Sequence, residues 1–197
     1  MKDIRRKIAK QEKEWLVDRL VELAIADDTV ADRIILSLAA QDEGGPKFIA
    51  KFKRQLDKAA RTIENHGPGS WGSEVPTTAF DAVADTLAIM GPAFCQEVLE
   101  ISEYALIKLD GVFELQDECE LEYLIDAFRA LHIDACQKLG PDPSVLAVRL
   151  AELGQQTEWG FFDGPPDGYV EILGQDGIKT FVAALSIASK SRSKSNK

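Results

Sequence analysis

Apolar residues recur along most of the chain at intervals of three and four positions, and no stretch alternates convincingly between apolar and polar residues. A period near 3.6 places apolar side chains on one face of an α-helix, whereas a half-buried strand shows a period of two. The pattern therefore predicts an all-α protein with about nine helices. They are expected at about 11–26, from 27 or 28, from 46, from 76, at 92–109, at 118–139, from 142, at 165–173 and at 175–188.

Glycine, proline and capping residues mark the joints between these helices. Gly91 before Pro92 is typical of one helix ending and the next beginning, and Asp142 before Pro143 is typical of an N-cap. Because the joints are short, successive helices are expected to pack as antiparallel pairs. The predicted architecture is an irregular α-solenoid, similar to HEAT or tetratricopeptide arrays, or a helical bundle, although no sharp sequence repeat is visible.

Three groups of side chains stand out on the predicted helices. The first helix is expected to bury a stripe of apolar residues, and the third helix has an apolar stripe with a basic outer face, the only basic face in the body. Aromatic residues near the last two helices are expected to seal the core. The stripe of the first helix is Trp15, Leu16, Leu20, Leu23 and Ala24, the basic face is Lys47, Lys51, Lys53, Arg54, Lys58 and Arg61, and the aromatic group is Trp159, Phe161, Phe162 and Tyr169.

Charge divides the 197-residue chain into an acidic body and two basic ends. The net charge is −10, but residues 1–14 carry +3 and residues 190–197 carry +4, so 15–189 carries −17. We therefore expect a basic N-terminal extension (1–10), one helical domain (11–188) and a disordered basic tail (189–197). The acidic body disfavours nucleic-acid binding and favours a protein partner with a basic surface or a basic peptide.

Cysteine usage and hydropathy indicate the compartment. The chain has three cysteines without tight spacing, which is typical of a reducing environment. No signal peptide is recognisable behind Met1, and the apolar runs are too short to span a bilayer. A cytoplasmic protein without membrane association is expected, and no cofactor is indicated.

One stretch of the C-terminal half carries a resemblance to a known family. From about residue 15 to residue 181, and mainly in this half, the chain resembles an uncharacterised bacterial all-helical family whose domain also occurs downstream of SWIM-type zinc fingers. The resemblance implies an all-helical fold and no agreed activity. The segments that carry it are Leu131-His132-Ile133-Asp134-Ala135-Cys136, Pro141-Asp142-Pro143-Ser144-Val145-Leu146-Ala147, Leu150-Ala151-Glu152-Leu153, Glu158-Trp159, Phe161-Phe162, Tyr169 and Leu173-Gly174-Gln175-Asp176-Gly177-Ile178.

The chain departs from that family in two places. The Cys-x-Cys and Cys-x-His ligands of a SWIM zinc finger are absent, so no zinc-finger function carries over. Relatives often have an Asp-Asp-Ser-Asp-Gly-like loop before the His132 helix. Here the corresponding stretch is acidic without the glycine, Leu115-Gln116-Asp117-Glu118-Cys119-Glu120.

The densest candidate chemistry lies between residues 110 and 126, where seven carboxylates occur without a Lys or Arg. Oxygen ligands of this kind suit Mg²⁺ or Ca²⁺, but the order does not fit an EF-hand loop. The alternative is a solvated acidic loop that favours the N-terminus of the next helix. The candidate binding residues here are Asp110, Asp117, Glu118 and Glu120.

Two further groups are candidates for binding. His132 and Cys136 stand four residues apart, a spacing that can present two zinc ligands, but packing of both side chains at the edge of the apolar stripe is the favoured interpretation. His66 and Trp71 belong to a glycine-rich stretch that is either an exposed binding edge or a plug between helices. The candidate metal ligands are therefore Asp117, Glu118, His132 and Cys136.

Three functions remain open on the sequence. Because no complete catalytic set is present, the first hypothesis is a non-enzymatic helical scaffold or protein-interaction module. The second is a metal-dependent enzyme that uses residues 110–126 with His132. The third is a nucleic-acid-associated protein that uses the basic 47–61 face and the basic ends.

Overall fold

A computed structural model describes residues 2–27, 30–31, 34, 38, 45–66, 76–90, 94–113, 118–157 and 167–195. Eight helices have defined bounds, and no strand occurs in the described residues, which confirms the predicted all-α fold of about nine helices. The helices are α1 (Lys2–Ile8), α2 (Lys13–Ala26), α3 (Pro46–His66), α4 (Thr78–Met90), α5 (Cys95–Phe113), α6 (Glu118–Leu139), α7 (Pro143–Gln156) and α8 (Asp167–Ser195).

The last six of these helices form three successive pairs, α3–α4, α5–α6 and α7–α8. The first helices of the pairs also pack side by side, α3 on α5 and α5 on α7, and the second helices do the same, α4 on α6 and α6 on α8. We call these rows the odd layer (α3, α5, α7) and the even layer (α4, α6, α8). Two such layers are the architecture of an α-solenoid.

The three helices of the odd layer begin at nearly even intervals along the chain. They begin at Pro46, Cys95 and Pro143, which are 49 and 48 residues apart. No repeat of residues in the sequence matches this spacing.

The core lies between the two layers. On α3 the predicted apolar stripe is buried, and Phe80 of α4 meets Phe128 of α6 edge to face with ring centroids 6.3 Å apart. Each helix of the three pairs contributes fully or almost fully buried apolar side chains, among them Phe48, Phe52, Leu56, Ile63, Phe80, Leu87, Ile101, Leu106, Phe128, Leu150 and Phe181.

Helix α2 departs from the prediction. No residue of α2 is buried, and Trp15, Leu20 and Leu23 are 47%, 48% and 55% exposed. The prediction that this stripe is buried is therefore wrong in the described structure. Helical periodicity identifies the face that can be buried, but burial also needs a partner surface.

The second predicted helix is described only at residues 30–31, 34 and 38, which are helical. Its start agrees with the expected cap, because the Asp27 carboxylate accepts a hydrogen bond from the Val30 amide at 3.4 Å. The Asp27 carbonyl also accepts from the Ala31 amide at 3.0 Å. The remainder of that helix lies outside the described residues.

Helix α8 is interrupted at Gly174, whose φ of 58° and ψ of −175° are not helical. This backbone conformation favours glycine, and it separates the two short helices predicted on either side of residue 174. The bounds of α8 include 189–195, which the sequence assigns to a disordered tail. The division into an extension, one domain and a tail stays a prediction.

None of the helices in the described part of the chain is both long and apolar enough to cross a membrane.

Candidate functional site

For several predicted site residues, the structure does not describe the residue or its side chain. Trp71 and Asp117 are outside the described residues, as are the aromatic residues at 159, 161 and 162. His66 is the last residue of α3, and Glu118 and Glu120 begin α6, but the described part of the chain does not include these three side chains.

The other three predicted residues are buried. Asp110 on α5 is 7% exposed, and His132 and Cys136 on α6 are both 0% exposed. The structure brings the last two together, with Cys136 Sγ 3.7 Å from His132 Nδ1, because positions four apart share one face of a helix. Their neighbours come from three other helices.

A buried polar network surrounds His132. The carboxylate of Glu103 on α5 lies 3.4 Å from His132 Nε2, and the hydroxyl of Tyr169 on α8 lies 2.5 Å from His132 Nδ1. Arg149 on α7 closes the network by donating two hydrogen bonds to Glu103, from Nε to Oε1 at 3.1 Å and from Nη2 to Oε2 at 2.5 Å. Four helices of the last two pairs thus meet at one set of side chains.

For a neutral imidazole, one tautomer satisfies both partners of His132. An ionised carboxylate only accepts hydrogen bonds, so Nε2–H donates to Glu103. Nδ1 is then the acceptor, and the Tyr169 hydroxyl donates to it. Tyr169 thus donates to His132, and His132 donates to Glu103. Arg149 also donates to Glu103.

The environment of the network shifts four pKa values, and the hydrogen bond to Glu103 raises that of Arg149. Burial raises the pKa of Glu103, but hydrogen bonds from His132 and Arg149 outweigh that effect and hold it below the ordinary value. Burial raises the pKa of the Cys136 thiol to about 12, with a smaller contribution from the Glu103 charge. Burial likewise raises the pKa of the Tyr169 hydroxyl.

These properties are those of a structural network. His132, Cys136 and Tyr169 are each 0% exposed, so a substrate has no access to them in this conformation. A thiol whose pKa is near 12 stays protonated at neutral pH and is a poor nucleophile. Arg149 is the member that reaches solvent, since its side chain is 45% exposed.

The metal hypothesis gains no support from the described geometry. Among the described residues, no group of three or more His, Cys, Asp or Glu side chains is arranged to hold a metal ion. His132 and Cys136 instead satisfy each other and Tyr169 in the core. A site that also used Asp117 and Glu118 would lie partly outside the described residues.

A second feature is a groove on the odd layer, between α3 and α5. It consists of two pockets, of about 370 and 410 Å³, which share Tyr104 and Ile107. Arg149 of α7 lines the first pocket, so the groove meets the buried network at the Arg149–Glu103 ion pair. Its other lining residues are Lys53, Asp57, Ala60, Arg61, Glu64, Gln96, Leu99, Glu100, Glu103, Lys108 and Gly111.

Tyr104 organises the centre of the groove. Its hydroxyl donates to Asp57 Oδ1 at 2.7 Å, and the ammonium groups of Lys53 and Lys108 lie 5.1 and 5.2 Å from the ring centroid. Both distances are within the range of a cation–π interaction. Lys108 also pairs with Asp57 at 2.8 Å, and this contact leads the causes that lower the pKa of Asp57.

Small and apolar residues line part of the groove, and we call them its floor. Ala60 and Gly111 line the second pocket, and a Cβ atom added to Gly111 would meet nothing within 4 Å. Leu99 and Ile107 are half-buried and line the first pocket. Glycine inside a helix costs stability relative to alanine, and no contact within the described structure requires it at position 111.

Sequence reasoning missed Glu103, Arg149 and Tyr104. A signal was present for Glu103, because it lies within the wide apolar arc of α5, between Leu99 and Leu106 at helical spacing. A carboxylate in such an arc is almost always paired when it is buried. The identity of its partners, His132 and Arg149, depends on two other helices and has no local signal.

No family model, no curated protein and no solved structure matches this chain. The resemblance to the all-helical bacterial family therefore stays a prediction.

Proposed function

We propose that this protein is a non-enzymatic helical scaffold that binds a segment of another protein on its odd layer. The observation that supports this proposal most directly is the groove between α3 and α5. Grooves between neighbouring helices of one layer are the surfaces on which α-solenoids bind extended or helical segments.

The chemistry of the groove suits a protein ligand. It combines an aromatic ring, Tyr104, with the apolar side chains of Leu99 and Ile107 and with charged groups at its edges. Protein interfaces favour aromatic and arginine side chains in this way. The titratable groups with strongly shifted pKa values, Cys136 and Tyr169, are enclosed in the core and are unsuited to catalysis.

The proposal retains the location expected from cysteine usage, the cytoplasm. It also retains a partner selected by charge, since the groove contains four cations and four carboxylates at its edges. Ion pairs on a groove edge select the orientation and identity of a partner more than they add affinity.

A groove-filling variant tests the proposal. In Gly111→Trp the new side chain enters the open space of the second pocket, and the fold is expected to persist because nothing lies within 4 Å of the new Cβ. Ala130→Trp is the matched control, since Ala130 is exposed on α6 in the even layer. Both variants and the unmodified chain are immobilised on a resin and incubated with a cell lysate. The captured proteins are identified by mass spectrometry.

Each captured protein is then purified and its affinity for the three forms is measured by calorimetry. We expect a partner that binds the unmodified chain and Ala130→Trp equally and binds Gly111→Trp at least tenfold more weakly. If every partner binds Gly111→Trp as well as the control, or if none binds the unmodified chain, the proposal is wrong.

A further inference from the structure

A single row of basic side chains runs along the outer face of α3. The row, which we call the α3 stripe, consists of Lys47, Lys51, Arg54, Lys58 and Arg61. These positions are spaced four, three, four and three residues apart, so the side chains lie on one face of the helix over about 21 Å. All five are exposed, and the two acidic residues of α3 lie towards the groove.

Three of the five basic residues of the stripe form no ion pair within the described residues, namely Lys47, Arg54 and Lys58. Arg61 lies close enough to Asp57 for its charge to help lower the pKa of that carboxyl. Lys53, which lies outside the stripe, pairs with Glu100 at 2.6 Å across the groove. A surface cation without a partner can pair with an incoming carboxylate without first breaking an existing contact.

The stripe borders the groove of the proposed function. Arg61 belongs to both, and the floor beside it is formed by Ala60 and Gly111, with Ile107 further along. A ligand on this surface therefore meets a row of cations on one side and a small, partly apolar floor on the other. This combination is the complement of an amphipathic helix with one acidic flank.

We infer that the odd layer binds an amphipathic α-helix of a partner protein whose carboxylates face the α3 stripe. Carboxylates that recur every three or four residues on the partner would stand opposite the five basic residues turn by turn. Apolar side chains of the same helix would enter the groove over Ile107 and Leu99. The inference rests on the proposed function and specifies the partner class.

The inference reverses an expectation from composition. The net charge of −10 predicts a basic partner, but the charge that a ligand meets is local, because salt screens interactions beyond about 8 Å. Helix α3 itself carries a positive charge, with six basic and two acidic residues.

A nucleic acid is the other polyanion to consider, and the surroundings of the stripe favour the helix. A phosphate backbone that followed the stripe would continue over α5, which contains four acidic residues and one lysine. It would also leave the apolar floor of the groove without a partner. An amphipathic helix reduces both costs, because it directs its carboxylates to the stripe and its apolar side chains to the groove, whereas a phosphate backbone carries charge along its whole length.

The test uses the full chain and three probes. The first is a fluorescent peptide as long as α3, with glutamates at the spacing of the stripe and leucines on the adjacent face. The second is a scrambled peptide of the same composition. The third is a set of single-stranded and duplex oligonucleotides. Binding is measured by fluorescence anisotropy at rising salt concentration.

A charge-reversed variant and a matched control locate the binding surface. The variant combines Lys47→Glu, Arg54→Glu and Lys58→Glu. The control combines Lys10→Glu, Lys13→Glu and Lys179→Glu, all exposed, and changes the net charge equally. A glutamine version of the first variant removes the charges without reversing them, and it serves if the reversed variant does not fold.

We expect the helical peptide to bind more tightly than the scrambled peptide and the oligonucleotides. Because each exposed pair contributes roughly a twofold effect, the stripe variant should weaken binding about tenfold and the control should not. Tighter binding of the oligonucleotides, equal binding of the scrambled peptide, no binding of any probe, or equal losses in both variants would overturn the inference. A captured partner protein can lose its binding to Gly111→Trp and still bind the stripe variant with unchanged affinity. In that case the inference alone fails and the proposed function stands.

Discussion

Replacing Tyr169 by phenylalanine removes one hydroxyl from the buried network and leaves the packing of the ring in place. In the unmodified protein that hydroxyl donates to His132 Nδ1 at 2.5 Å, and both residues are 0% exposed. After the change, the remaining neighbour of Nδ1 in the network is Cys136 Sγ at 3.7 Å, a weak donor. The imidazole is thus left with a poorly satisfied acceptor away from water.

The magnitude follows from these two effects. A buried hydrogen bond contributes about 0.5–1.5 kcal/mol, and leaving its partner unsatisfied costs about 1–3 kcal/mol. We expect Tyr169→Phe to lower the free energy of unfolding by about 2 kcal/mol, which for a chain of this size lowers Tm by roughly 4–8 °C. Tyr104→Phe is the matched control, because it removes a hydroxyl that bonds to Asp57 at 2.7 Å in the solvent-accessible groove. Its expected cost is about 0.5 kcal/mol, since water can replace the lost contact.

Urea denaturation followed by circular dichroism at pH 7 measures both costs. Equal m-values for the three proteins would show that the variants unfold from the same native state. If Tyr169→Phe loses no more stability than Tyr104→Phe, the hydrogen bond to His132 does not contribute as argued. A shifted m-value would instead point to a changed unfolding transition, which the thermal melts would reveal as an additional step.

Four further substitutions test other parts of the structure. Because the folded-state pKa of Glu103 lies below its ordinary value of 4.5, this carboxylate stabilises the fold above that pH and loses its effect as the pH falls further. The stability gap between the unmodified chain and Glu103→Gln should therefore narrow below pH 4.5 in urea titrations, and a constant gap would contradict this. Gly111→Ala should raise the free energy of unfolding by about 0.5–1 kcal/mol, because alanine favours the helix and its Cβ would meet nothing within 4 Å. Gly177→Ala should lower the free energy of unfolding by about 1–3 kcal/mol, because the Cβ of the new alanine would lie 3.2 Å from the carbonyl oxygen of Pro143. Asp142→Ala should cost about 1 kcal/mol in the same assay, since Asp142 accepts hydrogen bonds from two amides at the start of α7, and no loss would refute its role as a cap.

Local patterns in the sequence were sufficient to predict most of the helices. The apolar stripe of α3 is buried as predicted, and the break at Gly174 falls where two short helices were expected. Periodicity and backbone preferences act within a few residues, so one sequence carries them. The stripe of α2 shows the limit, because its exposure depends on surfaces that lie elsewhere in the chain.

The candidate site was less accessible to the same reasoning. His132 and Cys136 were correctly placed on one helix face, and the structure shows that both side chains are buried and in contact. The partners of His132, Glu103 and Tyr169, come from two other helices and are 29 and 37 residues away along the chain. Arg149, which donates to Glu103, comes from a third helix. Contacts over such distances depend on how the helix pairs stack, and no local pattern encodes that.

The network crosses the joint between the α5–α6 and α7–α8 pairs, and this position has a consequence for cooperativity. In a stack of helix pairs each unit is stabilised mainly by its neighbour, so a terminal unit can fray while the rest stays folded. Glu103 and His132 on one side of the joint bond to Arg149 and Tyr169 on the other, and so couple the opening of the last pair to that of the middle pair. Amide hydrogen exchange should therefore show similar protection in α6 and α7. Removal of the Tyr169 hydroxyl should lower the protection of α8 more than that of α7, because the hydrogen bonds from Arg149 to Glu103 still hold α7 across the joint.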